Sequence, residues 1–204
     1  MLRSAADLSQ REAYYLLIDS IVPRPIAWVT TVSASGVPNL APFSFFTGVS
    51  AQPPTLAISI ASRVIRGSDG TRQVRPKDTL SNLRETGEFI VHVAPADCRA
   101  QVLRSAENHA PEVDEIALCD FETVPASFTS PPRISALPVA MECRLLREVG
   151  LGDPPTTLVI GEVLGWHIDD AMLGEDGRIY SERWQPLARL GVEGFQPLKG
   201  GVPS

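Results

Sequence analysis

Proline is the residue that most restricts what this chain of 204 residues can fold into. The sequence contains 18 prolines, which is more than its 15 glycines. A proline inside a helix costs about 3 kcal/mol, because it lacks an N–H donor and clashes with the preceding turn. Hydrophobic residues make up 44% of the chain, which is enough for a packed core. The sequence therefore predicts a single domain over 1–204, built mainly of short β-strands joined by turns.

Charge and cysteine usage exclude several classes of protein. The formal net charge is −6, whereas nucleic-acid-binding proteins usually carry a basic field. The sequence has three cysteines without C-x-x-C spacing, which predict neither a disulfide framework nor a zinc site. Its three histidines are widely separated and have no metal-ligand spacing. The sequence has no secretory signal and no apolar run long enough to span a membrane. We therefore expect a soluble cytoplasmic protein with no nucleic-acid or membrane partner.

Hydrophobic periodicity divides the chain into a few helices and a larger number of strands. Ser9 and Glu12 indicate the cap of one short helix near the N-terminus, and two more helices are predicted over 77–87 and 97–110. β-Branched and aromatic runs predict strands over 26–32, 39–49 (interrupted at Pro42), 55–60, 88–94, 139–149 and 156–168. We expect irregular structure over 61–76, 111–135 and the tail 185–204. This order of elements predicts an antiparallel barrel with a few helices packed outside it.

Two short segments together indicate an anion site. Ser62 and Arg63 directly follow a predicted strand, and Lys77-Asp78-Thr79 begins a predicted helix. The start of a helix offers free N–H groups and a partial positive charge, which suit a phosphate. The cations add full charge and the hydroxyl groups add donors. The spacing alone also fits a solvated loop followed by an ordinary capped helix.

The segment from Asn39 to Thr47 carries a second signal. Strand alternation places Ala41, Phe43 and Phe45 on one face and Pro42, Ser44 and Phe46 on the other. Small and polar side chains beside aromatic rings can line the site of a flat heteroaromatic ligand, and Pro42 leaves backbone groups free there. The same pattern also fits a strand of the hydrophobic core.

Together with other motifs, these segments resemble a known family. Ser20–Thr31, Asn39–Phe46 and Lys77–Leu83 match the flavin reductase-like, FMN-binding split-barrel family. Later segments match in the same order and spacing, namely Pro131–Ile134, Pro138–Cys143, Gly161–Val163 and Pro186–Gly191. The resemblance covers about residues 18–195. Before its Lys-Asp-Thr, the segment Arg66–Arg75 is longer and more basic than is usual in the family.

The resemblance implies a mainly β fold, a six-stranded antiparallel Greek-key split barrel with a few peripheral helices. It also implies a homodimer that binds FMN near the subunit interface. The residues at the matching motif positions that would hold the phosphate are Ser62, Arg63, Lys77 and Thr79. Asp78 lies inside the same motif. Residues bordering the isoalloxazine ring would be Asn39, Ala41, Pro42, Phe43 and Ser44, with Trp28 and Thr30 nearby.

The activity implied is that of a flavin reductase, which passes a hydride from NAD(P)H to FMN for a downstream acceptor or monooxygenase. This transfer needs position and electrostatics rather than a protein acid or base, so no catalytic residue is assigned. Arg66, Arg72 and Arg75 are candidates for binding the phosphates of the nicotinamide cofactor. The main alternative is a flavoredoxin-like electron carrier without its own nicotinamide reductase activity. Two further alternatives for the function are a split barrel that has lost flavin and an oxidase of the pyridoxamine-phosphate type.

Overall fold

A seven-stranded antiparallel sheet forms the body of the fold. The computed structural model describes residues 1–67, 69–192 and 194–197. The strands of this sheet are β1 (Ala27–Val32), β2 (Pro38–Phe43), β3 (Phe46–Ala51), β4 (Pro54–Ala61), β5 (Glu88–Val93), β6 (Val139–Leu151) and β7 (Thr156–Ile168). Their order across the sheet is β2-β1-β5-β6-β7-β4-β3. The main sheet thus has seven strands rather than the six expected, because the segment predicted as one strand over 39–49 forms two.

The two edge strands of this sheet are neighbours in the sequence. Strand β2 ends at Phe43 and β3 begins at Phe46, so only Ser44 and Phe45 connect opposite edges of the sheet. Such a short connection requires the sheet to roll up until its edges approach each other. The edges do not pair with one another. Proline is tolerated on an edge strand because its missing N–H is not needed there, and Pro42 lies on the edge strand β2.

Four α-helices and several short elements surround the sheet. The helices are α1 (Gln10–Ser20), α2 (Asp78–Thr86), α3 (Arg99–Arg104) and α4 (Glu115–Leu118). Turns of 3₁₀ helix occupy Ala5–Asp7, Ala96–Cys98, Asp170–Met172 and Ser181–Arg183. A three-stranded sheet joins Arg24–Pro25, Leu187–Leu190 and Gly194–Pro197, and the pair Thr123–Val124 and Arg133–Ile134 forms a second small sheet. Among the helices of the described residues, none is long and apolar enough to cross a membrane.

Local sequence signals explain the first two helices. The side chain of Ser9 accepts a hydrogen bond from the N–H of Glu12, and the carboxylate of Glu12 accepts one from the N–H of Ser9. This reciprocal cap fixes the start of α1, as predicted. Helix α2 ends at Gly87, whose φ of 73° lies in the left-handed region that glycine adopts at little cost.

Four segments differ from the sequence prediction. The segment 61–76, predicted as a loop, contains strands Arg63–Arg66 and Arg72–Arg75, which pair as a hairpin that we call the arginine hairpin. The tail predicted as a loop from 185 contributes two strands to the three-stranded sheet, while 198–204 lies outside the described residues. The helix predicted over 97–110 is confined to the 3₁₀ turn and α3, and 111–135 includes the short helix α4.

Strand β1 is buried on both faces and separates two hydrophobic clusters. Ala27 and Val29 belong to the cluster inside the barrel, with Phe43, Ile58, Phe89 and Val159. On its other face, Trp28 belongs to a cluster formed with Leu40, Val102, Ile116, Ile134 and Leu187. The second cluster fixes α3, α4 and the C-terminal strands against the barrel. The cysteines are all free, two of them buried and Cys98 half-buried, as expected.

His92 joins these layers through its two ring nitrogens. It is fully buried on β5, where its Nδ1 lies 3.3 Å from the carbonyl oxygen of Trp28. Its Nε2 accepts a hydrogen bond of 3.1 Å from the N–H of Ile134. Burial lowers the pKa of His92 to about 3, from an ordinary value of 6.5. The imidazole is therefore neutral in the folded protein and has a structural role.

This burial predicts a specific loss of stability in acid. The unfolded chain binds a proton at His92 near pH 6.5, whereas the folded protein resists protonation until about pH 3. Stability must therefore fall as the pH drops below 6.5, by about 2 kcal/mol between pH 7 and pH 5 from this residue. Urea unfolding at several pH values measures this slope. We expect His92→Gln to be less stable at pH 7 but to lose less stability on acidification; equal slopes for the two proteins would contradict the assignment.

Candidate functional site

Three adjoining pockets meet at Pro42, beside the connection between β2 and β3. The largest, which we call the groove, has a volume of about 560 Å³ and lies between α1, Phe43–Phe45 and the loop at Pro154. A smaller one of about 60 Å³, the polar pocket, lies at the start of α2. A third of about 120 Å³ is lined mainly by apolar residues, including Ile26, Val102 and Phe195. Pro42 lines all three, and Lys77 lines both the groove and the polar pocket.

The polar pocket brings together seven of the twelve residues singled out in the sequence. These are Asn39, Ala41, Pro42, Arg63, Lys77, Asp78 and Thr79. Strand β2 supplies the first three, the arginine hairpin supplies Arg63, and the first turn of α2 supplies the rest. Asn39 is buried, and its amide Nδ2 donates to the hydroxyl oxygen of Thr79 over 3.0 Å. This bond fixes the start of α2 against β2.

The cations of the polar pocket are positioned but only partly neutralised. Arg63 Nη2 donates to Asp78 Oδ2 at 2.9 Å, and Nη1 donates to the carbonyl of His109 at 3.3 Å. The Nε of Arg63 is buried without a hydrogen-bond partner among the described residues. Burial lowers the pKa of Lys77, and the nearby charge of Arg63 lowers it further. An anion in this pocket would relieve both effects, since it would accept from Nε and offset the repulsion between the two cations.

A buried carboxyl group also lines the polar pocket. Glu115 of α4 is 5% exposed and accepts a hydrogen bond of 3.2 Å from the N–H of Leu40. Burial raises the pKa of this carboxyl group above its ordinary value. The shift favours the neutral form, which repels an anion less than the carboxylate does. The sequence analysis did not single out this residue.

The groove offers a flat wall and several polar groups. Phe43, Phe45 and Tyr14 supply aromatic surface, and the rings of Tyr14 and Phe45 lie 6.5 Å apart. The Nζ of Lys77 lies 5.6 Å from the centre of the Phe43 ring. Within the described residues, the N–H groups of Ser44 and Phe45 have no hydrogen-bond partner. The groove can therefore take a planar ring that carries acceptor atoms along one edge.

Ser62 lies in the groove rather than in the polar pocket. Its hydroxyl group donates to the carbonyl oxygen of Pro155 over 2.6 Å, and its N–H donates to the same oxygen. The hydroxyl hydrogen is thus directed to the chain itself. Ser62 ties the arginine hairpin to the turn between β6 and β7, whereas Arg63 and Thr79 line the polar pocket.

Trp28 and Thr30 lie outside all three pockets. Trp28 is fully buried, its Nε1 donates to the hydroxyl of Ser105 over 2.9 Å, and its ring meets that of Phe121 edge to face. Thr30 is also fully buried and donates its hydroxyl hydrogen to the carbonyl oxygen of Pro132 over 3.1 Å. Trp28 belongs to the second hydrophobic cluster. The structure therefore places both side chains in the buried interior, outside the lining of the three pockets.

Other residues of the pockets were not found from the sequence. The groove also includes Gln10, Arg11, Tyr14, Ser59, Pro154 and Thr156. Tyr14 shares the helical spacing of Leu17 and Ile18, which predicts a core contact, whereas the structure leaves it 51% exposed. The others are ordinary residues of a helix, a strand and a turn, and only the rolled sheet brings them together.

Sequence comparison relates the chain to one family. The model of a family described as a flavin reductase like domain matches residues 19–187. An uncharacterized protein of Aquifex aeolicus is 35% identical over 178 residues, which cover 87% of this chain and 86% of that protein. An uncharacterized protein of Bacillus subtilis, YwrF, is 35% identical over 199 residues, which cover 95% of this chain and 93% of that protein.

Solved structures show the same fold. Nitrilotriacetate monooxygenase component B from Bacillus cereus matches with a TM-score of 0.89 and 32% identity, covering 100% of this chain and 98% of that one. Flavoredoxin of Desulfovibrio vulgaris matches with a TM-score of 0.76 and 18% identity, covering 100% and 97%, a likeness of fold alone. With a family model that matches residues 19–187, this mainly β chain of split-barrel fold belongs to the flavin reductase-like domain family.

Proposed function

We propose that the protein binds FMN and reduces it with NAD(P)H. The observation that carries this proposal is the polar pocket, in which a buried, unpartnered Arg63 Nε and Lys77 lie beside a groove with an aromatic wall. FMN combines a phosphate with a planar ring, and the two neighbouring spaces match these two parts. Membership in the flavin reductase-like family supports the same ligand.

The phosphate of FMN fits the polar pocket. Arg63 and Lys77 supply positive charge, and the first turn of α2 supplies N–H groups that have no partner within the helix. The pocket volume of about 60 Å³ leaves room for one small anionic group. Asp78 holds the guanidinium of Arg63 in place, so its carboxylate positions a cation instead of contacting the ligand.

The ring of FMN fits the groove against Phe43. The unpaired N–H groups of Ser44 and Phe45 would donate to the oxygen and nitrogen acceptors along one edge of the ring. Donors placed there stabilise negative charge as it develops on the ring. When bound, FMN supplies a centre that accepts a hydride and passes the electrons on. The protein has to hold the two reactants face to face, and the open side of the groove leaves access for the second one.

A second candidate function is that of an electron carrier. Flavoredoxin of Desulfovibrio vulgaris shares the fold, and a carrier could use the same two spaces for its flavin. The Bacillus cereus relative is one component of a monooxygenase, which supports a partner that receives electrons from this chain. The two candidates differ in the source of the electrons: a nicotinamide cofactor for a reductase, and a partner protein for a carrier.

We also propose that the protein is a homodimer whose subunits meet beside the groove. An apolar stripe runs along α1 to the residue that caps its C-terminus; it consists of Tyr14, Leu17 and Ile21, which are 51%, 50% and 56% exposed. The edge strand β3, which begins directly after Phe45 of the groove, exposes a further apolar residue, Val49. An exposed apolar surface that extends over two elements is typical of an interface. Tyr14 lies both in this stripe and in the wall of the groove, which would place the flavin near the partner subunit.

Replacing Lys77 tests the flavin site. We expect the wild-type protein to bind FMN and Lys77→Met to bind it about tenfold more weakly, because one charge-assisted contact to the phosphate is lost. Quenching of flavin fluorescence measures both affinities. Arg147→Met is the control, since Arg147 is an exposed strand residue that lines none of the described pockets. Equal affinities of the wild-type protein and Lys77→Met for FMN would count against the site.

Anaerobic reduction separates a reductase from a carrier. We expect the FMN-loaded protein to lose its flavin absorbance near 450 nm within seconds of mixing with NADH or NADPH, a timescale typical of enzyme turnover. Stopped-flow absorbance measures this rate. A protein that binds FMN but is reduced by neither nucleotide is a carrier, and that result would overturn the proposed reductase activity.

Sedimentation equilibrium tests the dimer. The wild-type protein should have twice the mass of one chain, and Leu17→Asp should have the mass of a single chain, because a buried carboxylate is strongly unfavourable at an interface. Leu118→Asp changes an exposed leucine on α4, outside the stripe, and should leave the dimer intact. A wild-type monomer at micromolar concentration would refute the dimer.

A further inference from the structure

The arginine hairpin carries two pairs of arginines on opposite faces. Arg63 lies directly across from Arg75, and Arg66 lies across from Arg72. Residues that pair in an antiparallel ladder share a face, and successive residues of a strand alternate between faces. Arg63 and Arg75 are therefore on one face of the hairpin, and Arg66 and Arg72 are on the other. The pockets agree, because Arg63 lines the polar pocket whereas Arg66 and Arg72 do not.

The second pair lines a separate space that opens from the groove. We call it the outer pocket; it is lined by Gln10, Val64, Arg66, Arg72, Asp153 and Pro154, and its volume is about 670 Å³. It shares Gln10 and Pro154 with the groove, so the two spaces adjoin. It shares no lining residue with the polar pocket. The groove is therefore bordered by two separate cationic spaces, the polar pocket at Pro42 and Lys77 and the outer pocket at Gln10 and Pro154.

The charges of the outer pocket are available to a ligand. Within the described residues, the side chain of Arg66 forms no hydrogen bond or ion pair. Arg72 approaches Asp153 at 3.4 Å, but the side chains are 40% and 85% exposed. An exposed pair of this kind contributes little and exchanges easily for a stronger anion. Asp153 is the only carboxylate in the described lining of the outer pocket, against two guanidinium groups.

From this arrangement we infer that the outer pocket binds a phosphate on the adenosine half of the nicotinamide dinucleotide, through Arg66 and Arg72. The inference rests on the proposed function, since it assigns a site to the second reactant of the reductase. Arginine suits this role because its planar guanidinium donates two parallel hydrogen bonds to a phosphate. Arg75 is excluded from this role because it lies on the other face of the hairpin.

The position of the outer pocket favours the dinucleotide over the flavin. The phosphate of FMN is assigned to the polar pocket, on the opposite face of the hairpin. A larger flavin, which carries a further group on this phosphate, would therefore extend from the polar pocket. A nicotinamide ring stacked in the groove can instead send its adenosine arm past Gln10 and Pro154 into the outer pocket. Two sources of phosphate are then possible: the pyrophosphate common to NADH and NADPH, and the 2′-phosphate of NADPH.

Calorimetric titration with fragments of the dinucleotide tests this inference without requiring turnover. The probes are ADP-ribose and 2′,5′-ADP, added to the protein in the presence of excess FMN. We expect the wild-type protein to bind at least one probe and Arg66→Gln to bind it about tenfold more weakly, a loss typical of one charged hydrogen-bonded contact. If Arg66→Gln loses affinity for 2′,5′-ADP alone, the outer pocket binds the 2′-phosphate. If it loses affinity for both probes, the outer pocket binds the pyrophosphate side.

Controls separate this inference from the proposed function. Arg147→Gln removes an exposed strand arginine that lines none of the described pockets, and it should bind both probes as the wild type does. Direct titration of the same proteins with FMN reports on the flavin site. A wild-type protein that binds the probes but not FMN contradicts the proposed function alone. Wild-type protein that binds neither probe, or Arg66→Gln that binds both with unchanged affinity, would overturn the inference. The same proteins are also titrated with FAD. If Arg66→Gln binds FAD more weakly but binds both probes with unchanged affinity, that result would overturn the inference as well.

Discussion

The connection of two residues between Phe43 and Phe46 is the constraint on which the rest of the structure depends. Ser44 and Phe45 join strands at opposite edges of a seven-stranded sheet, so the sheet has to curl until these edges approach. The edges do not pair, and the barrel is left split at this point. Within the described part of the chain, the N–H groups of Ser44 and Phe45 at this split have no hydrogen-bond partner, and Pro42 beside them lines three adjoining pockets. The candidate site is thus a direct consequence of how the barrel closes.

Electrostatics give this opening its selectivity. The chain carries a net charge of −6, yet five cationic residues lie close together in the fold. They are Arg63, Arg66, Arg72 and Arg75 on the two faces of one short hairpin, and Lys77 at the start of one helix. Asp78 holds Arg63 without satisfying its Nε, and burial beside Arg63 lowers the pKa of Lys77. Both effects make an empty polar pocket less favourable than one that holds an anion. A local concentration of charge of this kind can bind one small phosphorylated ligand on an acidic protein.

Much of this fold and part of the site follow from the sequence. Ser9, Glu12 and Gly87 fix helix ends through local contacts, so the helices they bound were predictable. The two segments proposed to bind an anion were predicted from the sequence because hydroxyl groups and cations occur beside a strand end and a helix start. The full burial of Trp28 could not be predicted, because a strand buried on both faces gives no alternation to show which face lies in the core. The arginine hairpin was not predicted because four of its residues are arginines and only one of its cross-strand pairs, Val64 with Val74, joins two β-branched residues. Glu115 and Gln10 reach the pockets only through tertiary folding, which no local pattern reports.

The central claim is that the polar pocket holds the phosphate of a flavin whose ring lies in the groove. The most direct test compares the dissociation constants of FMN and riboflavin for the wild-type protein, because the two ligands differ only in that phosphate. The account predicts that FMN binds at least about tenfold more tightly, and that the difference shrinks at high salt because the contact is between charges. Equal dissociation constants for the two flavins, or no binding of either one, would contradict it.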